Sequence, residues 1–346
     1  MNQYVKLLSK HRRALMGFAI LSIMFFHFPE NTGIQLFDFV KSVGYGGVDI
    51  FLFLSGFGLY FSLSKPDVKL KTYYKNRFMR VLPEFWIALA FVFLINMDFS
   101  LHSIYTFICQ ASTLGYWLSA FFDMPYMIWY ISFIVVIYAI FPIFFMIYKK
   151  YGIIVPVVCI SLVLLLVFAN AIFFMSNKVL IPGMLLLSFA RIPIFLIGVI
   201  FGQLAKEGCQ IELGIVAKVF ALICGVVALF GLHIFMESYQ RYIWNCSLLF
   251  LPFVVIAPLL CVLLAKFFEK VNFIESLFAH FGALSLELCI CHCFVIYYYQ
   301  NFLEEYGKLV SLILIVILSF VFAYILHFVN KKLLHRWLSV WRVFVV

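Results

Sequence analysis

Apolar residues in this chain come in blocks of about twenty, separated by short polar stretches. Twenty residues is the length a helix needs to cross the hydrocarbon core of a bilayer, at 1.5 Å per residue. Ten such blocks are read, at roughly 14–30, 44–64, 81–97, 127–148, 152–174, 184–205, 213–234, 245–267, 276–299 and 309–330. The pattern predicts an all-α, polytopic membrane protein with ten transmembrane helices in one bundle. One further stretch, SLHSIYTFICQASTLGYWLSAFF at 99–122 region, is apolar and holds no Lys or Arg. It is expected to lie outside and dip partly into the membrane.

Charge supports that count and orients it. With the N-terminus inside, 20 of the 25 Lys and Arg residues fall on cytoplasmic segments. Four fall outside (Lys41, Lys178, Arg241, Lys308), and Arg191 lies within a span. Cytoplasmic loops are the ones that carry excess Lys and Arg, so both termini are placed in the cytoplasm. Had 99–122 crossed the membrane, every later loop would change sides and the pattern would invert. Composition agrees: 66% of residues are hydrophobic and only 12% charged, far from soluble averages. The net charge of +10 then reports topology and contact with anionic lipid or an anionic cytosolic ligand, not nucleic acid. The nine cysteines are scattered through apolar blocks, so no disulfide framework is read. No cleavable signal peptide is recognised, and no loop is long enough for a separate soluble domain. Residues 1–346 are read as a single transmembrane domain.

Chemistry must therefore come from the few polar groups inside the spans and from the short loops. An ionisable side chain in a span is costly unless paired, and is a functional candidate for that reason. His27 ends the first apolar block, and Asp49 lies a little way into the second from the same side. Their spans are joined by a short loop and are expected to be neighbours. A His27–Asp49 hydrogen bond would orient the imidazole as a general base. Arg191, in the outer half of the sixth span, needs an anion or carbonyl partner, and Pro193 frees a backbone carbonyl nearby. Glu287 and His292, five residues apart in the ninth span, face different sides of a helix. Cys289, His292 and Cys293 share a face, but no matched ligands occur elsewhere, so no metal is expected. The segment KPDVKLKTYYKNRFMRVLP packs six cations into Lys65–Arg80. Arg77 and Arg80 lie side by side on a helix, and two guanidinium forks suit phosphate groups. Anionic lipid binding and topology determination are the competing reading of that segment.

Taken in order, GFAILSIMFFH (17–27), GYGGVDIFLFLSGFGLYFSL (44–63), YYKNRFMRVLP (73–83), MIWYISFIVVIYAIFPI (127–143), ARIPIFLIGVIFGQL (190–204) and GALSLELCICHCFVI (282–296) resemble the acyltransferase family 3 membrane proteins over nearly the whole chain. The resemblance implies about ten spans in the cell membrane. It also implies transfer of an acyl group, commonly acetyl, from cytosolic acyl-CoA to a hydroxyl of an envelope glycan or lipid-linked sugar. The family's essential histidine aligns with His27, and its cytoplasmic Arg-x-x-Arg, the acyl-CoA contact, with Arg77 and Arg80. Two positions depart from the family pattern. Met16 stands where many members have arginine, and Ile134, five residues after Trp129, stands where many have glutamate. Arg12, one turn before Met16, and Arg13 beside it are candidates to fill the first of these roles. Glu287 fits a family variant in which SLE precedes the late histidine.

Acyl transfer from a thioester to an alcohol needs a base, donors for the developing oxyanion and a hold on the acyl donor. The expected roles are His27 and Asp49 for catalysis, and Arg77, Arg80, Lys75, Arg12 and Arg13 for acyl-CoA. Arg191, Ser55, Glu287 and His292 are expected as substrate or oxyanion contacts. Acyl-CoA, above all acetyl-CoA, is expected as a donor substrate and no bound cofactor is expected; membrane lipids and the glycan acceptor complete the partners. The alternative reading is a transporter or exporter of a sugar or lipid-linked glycan, although no broken-helix pair or inverted repeat stands out.

Overall fold

The computed structural model describes residues 3–28, 33–96, 99–122, 128–175, 181–208, 214–238, 247–304 and 308–343. Every regular element among them is helical. The helices are α1 (Gln3–Lys10), α2 (Arg12–Phe26), α3 (Gln35–Ser42), α4 (Gly47–Leu63), α5 (Leu70–Asn96), α6 (Leu101–Ala111), α7 (Gly115–Leu118) and α8 (Trp129–Tyr151). They continue with α9 (Ile154–Met175), α10 (Gly183–Phe189), α11 (Ile192–Lys206), α12 (Ile215–Ser238), α13 (Phe253–Lys270), α14 (Asn272–Ala283), α15 (Ser285–Glu304) and α16 (Lys308–Val343). Among the described residues each predicted span overlaps one of these helices or a consecutive pair; residues 29–30, 97, 127, 213 and 245–246 of those spans lie outside the described residues.

Seven helical stretches are long and apolar enough to cross a bilayer. An eighth forms if α14 and α15, which break at Leu284, count as one span. The first and seventh predicted spans fall on α2, of 15 residues, and on α12, whose apolar stretch is Val216–Leu232. Helices such as α9 expose large aliphatic side chains, Leu162 and Leu165 among them, as surfaces facing lipid do.

Contacts gather into two compact units, one of Met1–Ser22, Val43–Tyr73 and Ala139–Ala283, the other of Ile23–Ser42, Tyr74–Tyr138 and Leu284–Val346. In the first unit α4 and α11 lie along each other in parallel. A Cβ built on Gly56 would stand 2.1 Å from the Phe195 carbonyl oxygen, and one on Gly198 would stand 2.2 Å from that of Phe53. Only glycine permits backbones that close, and within a membrane close packing replaces the hydrophobic force that drives helices together in water. The pair is fastened at both ends: Arg191 Nη1 donates to Asp49 Oδ2 at 2.8 Å, and Lys206 Nζ donates to the Ser64 carbonyl at 2.6 Å.

In the second unit α15 and α16 pack against each other. The apolar segment after α5 also belongs to this unit. Helix α6 folds back along α5, with Phe93 against Phe107 (ring centroids 5.1 Å apart). Its last carbonyl, that of Ala111, accepts a hydrogen bond from Trp86 Nε1 at 2.8 Å. Trp86 lies ten residues before the end of α5, so the segment returns by about 15 Å. The cation-rich stretch before the third span is not a loop throughout: α5 begins at Leu70 and carries Lys75, Arg77 and Arg80 on helix.

Candidate active site

His27 follows directly on α2, where the helix has run out of amide partners for its last carbonyls. Its backbone N–H and its Nδ1 both reach the Ile23 carbonyl, the ring at 2.9 Å. A carbonyl only accepts, so Nδ1 carries the proton. His292 on α15 repeats the arrangement, with Nδ1 donating to the Leu288 carbonyl at 2.7 Å. The two rings face each other, centroids 5.1 Å apart.

With both Nδ1 atoms protonated, each neutral ring keeps its lone pair on Nε2. The Nε2 of His292 lies 3.4 Å from His27 Nδ1 and 3.5 Å from Cys293 Sγ. It accepts the second limb of the His27 Nδ1–H bond and is offered the thiol proton of Cys293. His27 Nε2 is left as the lone-pair nitrogen of an exposed ring. Such a nitrogen can take a proton. The imidazolium that results would be held at the C-terminal end of α2, where helix carbonyls favour positive charge. Its Nδ1–H would still point at two acceptors.

The sequence expectation paired His27 with Asp49. In the structure Asp49 is held by Arg191 instead, both at 2% exposure or less. A guanidinium is always charged and hydrogen-bonds carboxylates strongly, so it claims the carboxylate. Arg191 also stands over the Phe250 ring, 4.2 Å from its centroid, and Tyr45 packs edge-on against Phe250 and bonds the Leu249 carbonyl. This pair is a closed interior contact rather than an open subsite.

A second polar cluster lies in the unit that holds His27. Glu287 Oε1 accepts from His327 Nδ1 at 2.5 Å, and Glu84 Oε1 accepts from Asn330 Nδ2 at 2.7 Å. Glu287 was expected as a substrate contact, but Glu84, His327 and Asn330 were missed. The rule that flagged His27 would have found them, since each is a polar side chain on a helix that otherwise reads as a span.

The family model described as an acyltransferase domain matches residues 14–328. The chain belongs to acyltransferase family 3. No curated protein and no solved structure matches it significantly. It is thus a membrane enzyme that transfers acyl groups.

In this acyltransferase Lys75 and Arg80 are exposed and Arg77 is half-buried, with its guanidinium 6.0 Å from the Tyr138 ring centroid. Arg12 reaches into the first unit, where Nη2 donates to the Leu54 carbonyl of α4 at 3.3 Å and the guanidinium lies against Gly58. Arg13 is exposed and Ser55 is half-buried on α4. Met16 is half-buried, and Ile134, where many members have glutamate, is packed away at 2% exposure.

Proposed function

We propose that this enzyme moves an acyl group from cytosolic acyl-CoA to a hydroxyl of an envelope glycan or lipid-linked sugar in the cell membrane, with His27 Nε2 as the general base. The observation that supports the reading is the His27–His292 pair: His27 Nδ1 donates to the Ile23 carbonyl and faces His292, which leaves the ring's lone pair on Nε2. Nε2 takes the hydroxyl proton as the acceptor oxygen attacks the thioester carbonyl. The C–S bond then breaks, and the imidazolium returns the proton to the departing thiolate. The products are an ester and the coenzyme thiol, and His27 ends as it began.

Arg77 and Arg80, with Lys75 beside them, hold the phosphates of the coenzyme. Arg12 takes the place of the arginine that Met16 lacks, at the cost of being tied to Leu54. His292 acts through His27 and is a positioning residue.

The test uses the whole protein in lipid nanodiscs with acetyl-CoA and a glycan or short-sugar acceptor, following release of free thiol. Wild type should release thiol only when the acceptor is present, and His27→Ala should lower kcat by about 10²–10⁴. Turnover that survives His27→Ala would sink the mechanism. Mass spectrometry of envelope glycans with and without the protein would identify the acceptor by a lost acyl mass.

A further inference from the structure

A cavity of about 390 Å³ lies among α5, α15 and α16, all within the unit that holds His27. Ala88 and Val92 of α5, Cys291 and Val295 of α15, and Leu326 of α16 form its walls. The floor is closed, with Ala88, Cys291, Val295 and Leu326 all buried. The mouth is open, because Phe91, Ile95 and Ile325 on its rim are each more than half exposed, and exposed apolar surface in a spanning protein faces lipid.

Its lining is hydrocarbon apart from the Cys291 thiol. A sugar or the amides of a pantetheine arm would lose their hydrogen bonds there, at a cost of kilocalories per group. Only a hydrocarbon chain fits. Two neighbours say which chain. Cys291 immediately precedes His292, the ring that faces His27. Val295 packs in one cluster with Phe28, the residue after His27, and with Phe322, which also lines the cavity. The cavity thus shares its wall with the cluster that holds the residue after the base. It also shares a helix with the cationic pair, since Ala88 lies eight residues after Arg80 on α5, about 12 Å along the axis.

We infer that this cavity holds the acyl chain of the donor, and that the preferred donor carries a medium-length chain rather than acetyl. The inference rests on the acyl-CoA reading above. With the thioester carbonyl at His27 Nε2, the chain runs into the cavity and lies along α5 from Ile95 towards Ile87, about 12 Å of apolar wall. The first methylenes added to acetyl should each tighten binding from water by roughly fourfold.

The test is equilibrium binding of coenzyme A and of acetyl-, butanoyl-, octanoyl- and decanoyl-CoA to the protein in nanodiscs, corrected with empty nanodiscs. Val92→Trp, which fills the cavity from a half-buried position, is measured in parallel. Ala88→Phe is the second variant should Val92→Trp not give a monodisperse protein. The expected result is a rise in affinity from acetyl to octanoyl of at least about tenfold, with the octanoyl-to-acetyl ratio collapsing in the filled variants. If coenzyme A and acetyl-CoA bind but a longer chain adds nothing, the cavity belongs to a bilayer lipid or the acceptor's lipid tail. The inference then falls while the acyl-CoA reading stands. A chain-length gain that both variants keep places the chain elsewhere and also overturns it. If no coenzyme A species binds at any length, the proposed function itself fails and takes the inference with it.

Discussion

Asp49 and Arg191 are 142 residues apart in the chain and 2.8 Å apart in the protein. Lys206 and Ser64, at the other end of the same two helices, are separated by the same 142 residues. An equal offset at both ends means that α4 and α11 stay in register along their whole length. Removing one member of the buried pair would leave a charge without its counter-charge, at a cost of about 3–5 kcal/mol. Asp49→Asn and Arg191→Met should each lower the melting temperature markedly. The double variant Asp49→Leu/Arg191→Met should recover most of the loss. A double variant as unstable as the singles would show that the pair does more than fasten the helices.

The glycines of the same interface make a sharper case. Gly198→Leu must push its Cβ into the Phe53 carbonyl, and no rotamer relieves a backbone collision. Overpacking of this kind costs about 1–3 kcal/mol or more, so the variant should express poorly or melt early. Gly231→Ala on α12, where an added Cβ meets nothing within 4 Å, should melt no lower than wild type. Fluorescence-detected size exclusion after a heat step separates the two.

On the proposed mechanism His292 acts on the reaction only through the ring it faces. His292→Ala should lower kcat by about tenfold, less than the loss from removing the base itself, and leave KM for both substrates unchanged. His292→Gln should restore much of the rate, because its carbonyl can accept the His27 Nδ1–H in place of the lost nitrogen. Equal losses for Ala and Gln would assign His292 a packing role.

Arg77→Gln and Arg80→Gln should each raise KM for acyl-CoA by about ten- to a hundredfold, the worth of a charge-assisted hydrogen bond. The change in kcat should be smaller, and the dependence of KM on salt should weaken. A loss confined to kcat would move these arginines from holding the coenzyme to the reacting centre.

The all-helical, polytopic fold was legible because block length is a one-dimensional signal. The partners of Asp49 and His27 were not legible. Position along the chain gives the depth of a side chain, but not the direction it points around its helix axis. His27 and Asp49 were expected at one depth on consecutive spans, yet each turns to a residue more than a hundred positions away. The break between α14 and α15 at Leu284 was hidden too, because GALSLE contains no proline to announce it. Glu84 was missed although it lies inside the third predicted span, because it stands three residues past the start of that span and next to an arginine-rich stretch, where a carboxylate reads as an interfacial charge.

Cys291 and His292 are consecutive on α15, so their side chains leave the helix about 100° apart. One belongs to a greasy wall and the other to the imidazole pair. If the cavity holds the donor chain as proposed, what the enzyme accepts and how it reacts are written on different sides of one rod. Substitutions on the Cys291 side can retune the choice of donor while the proton chemistry is left alone, and an enzyme built this way can change its substrate without relearning its reaction.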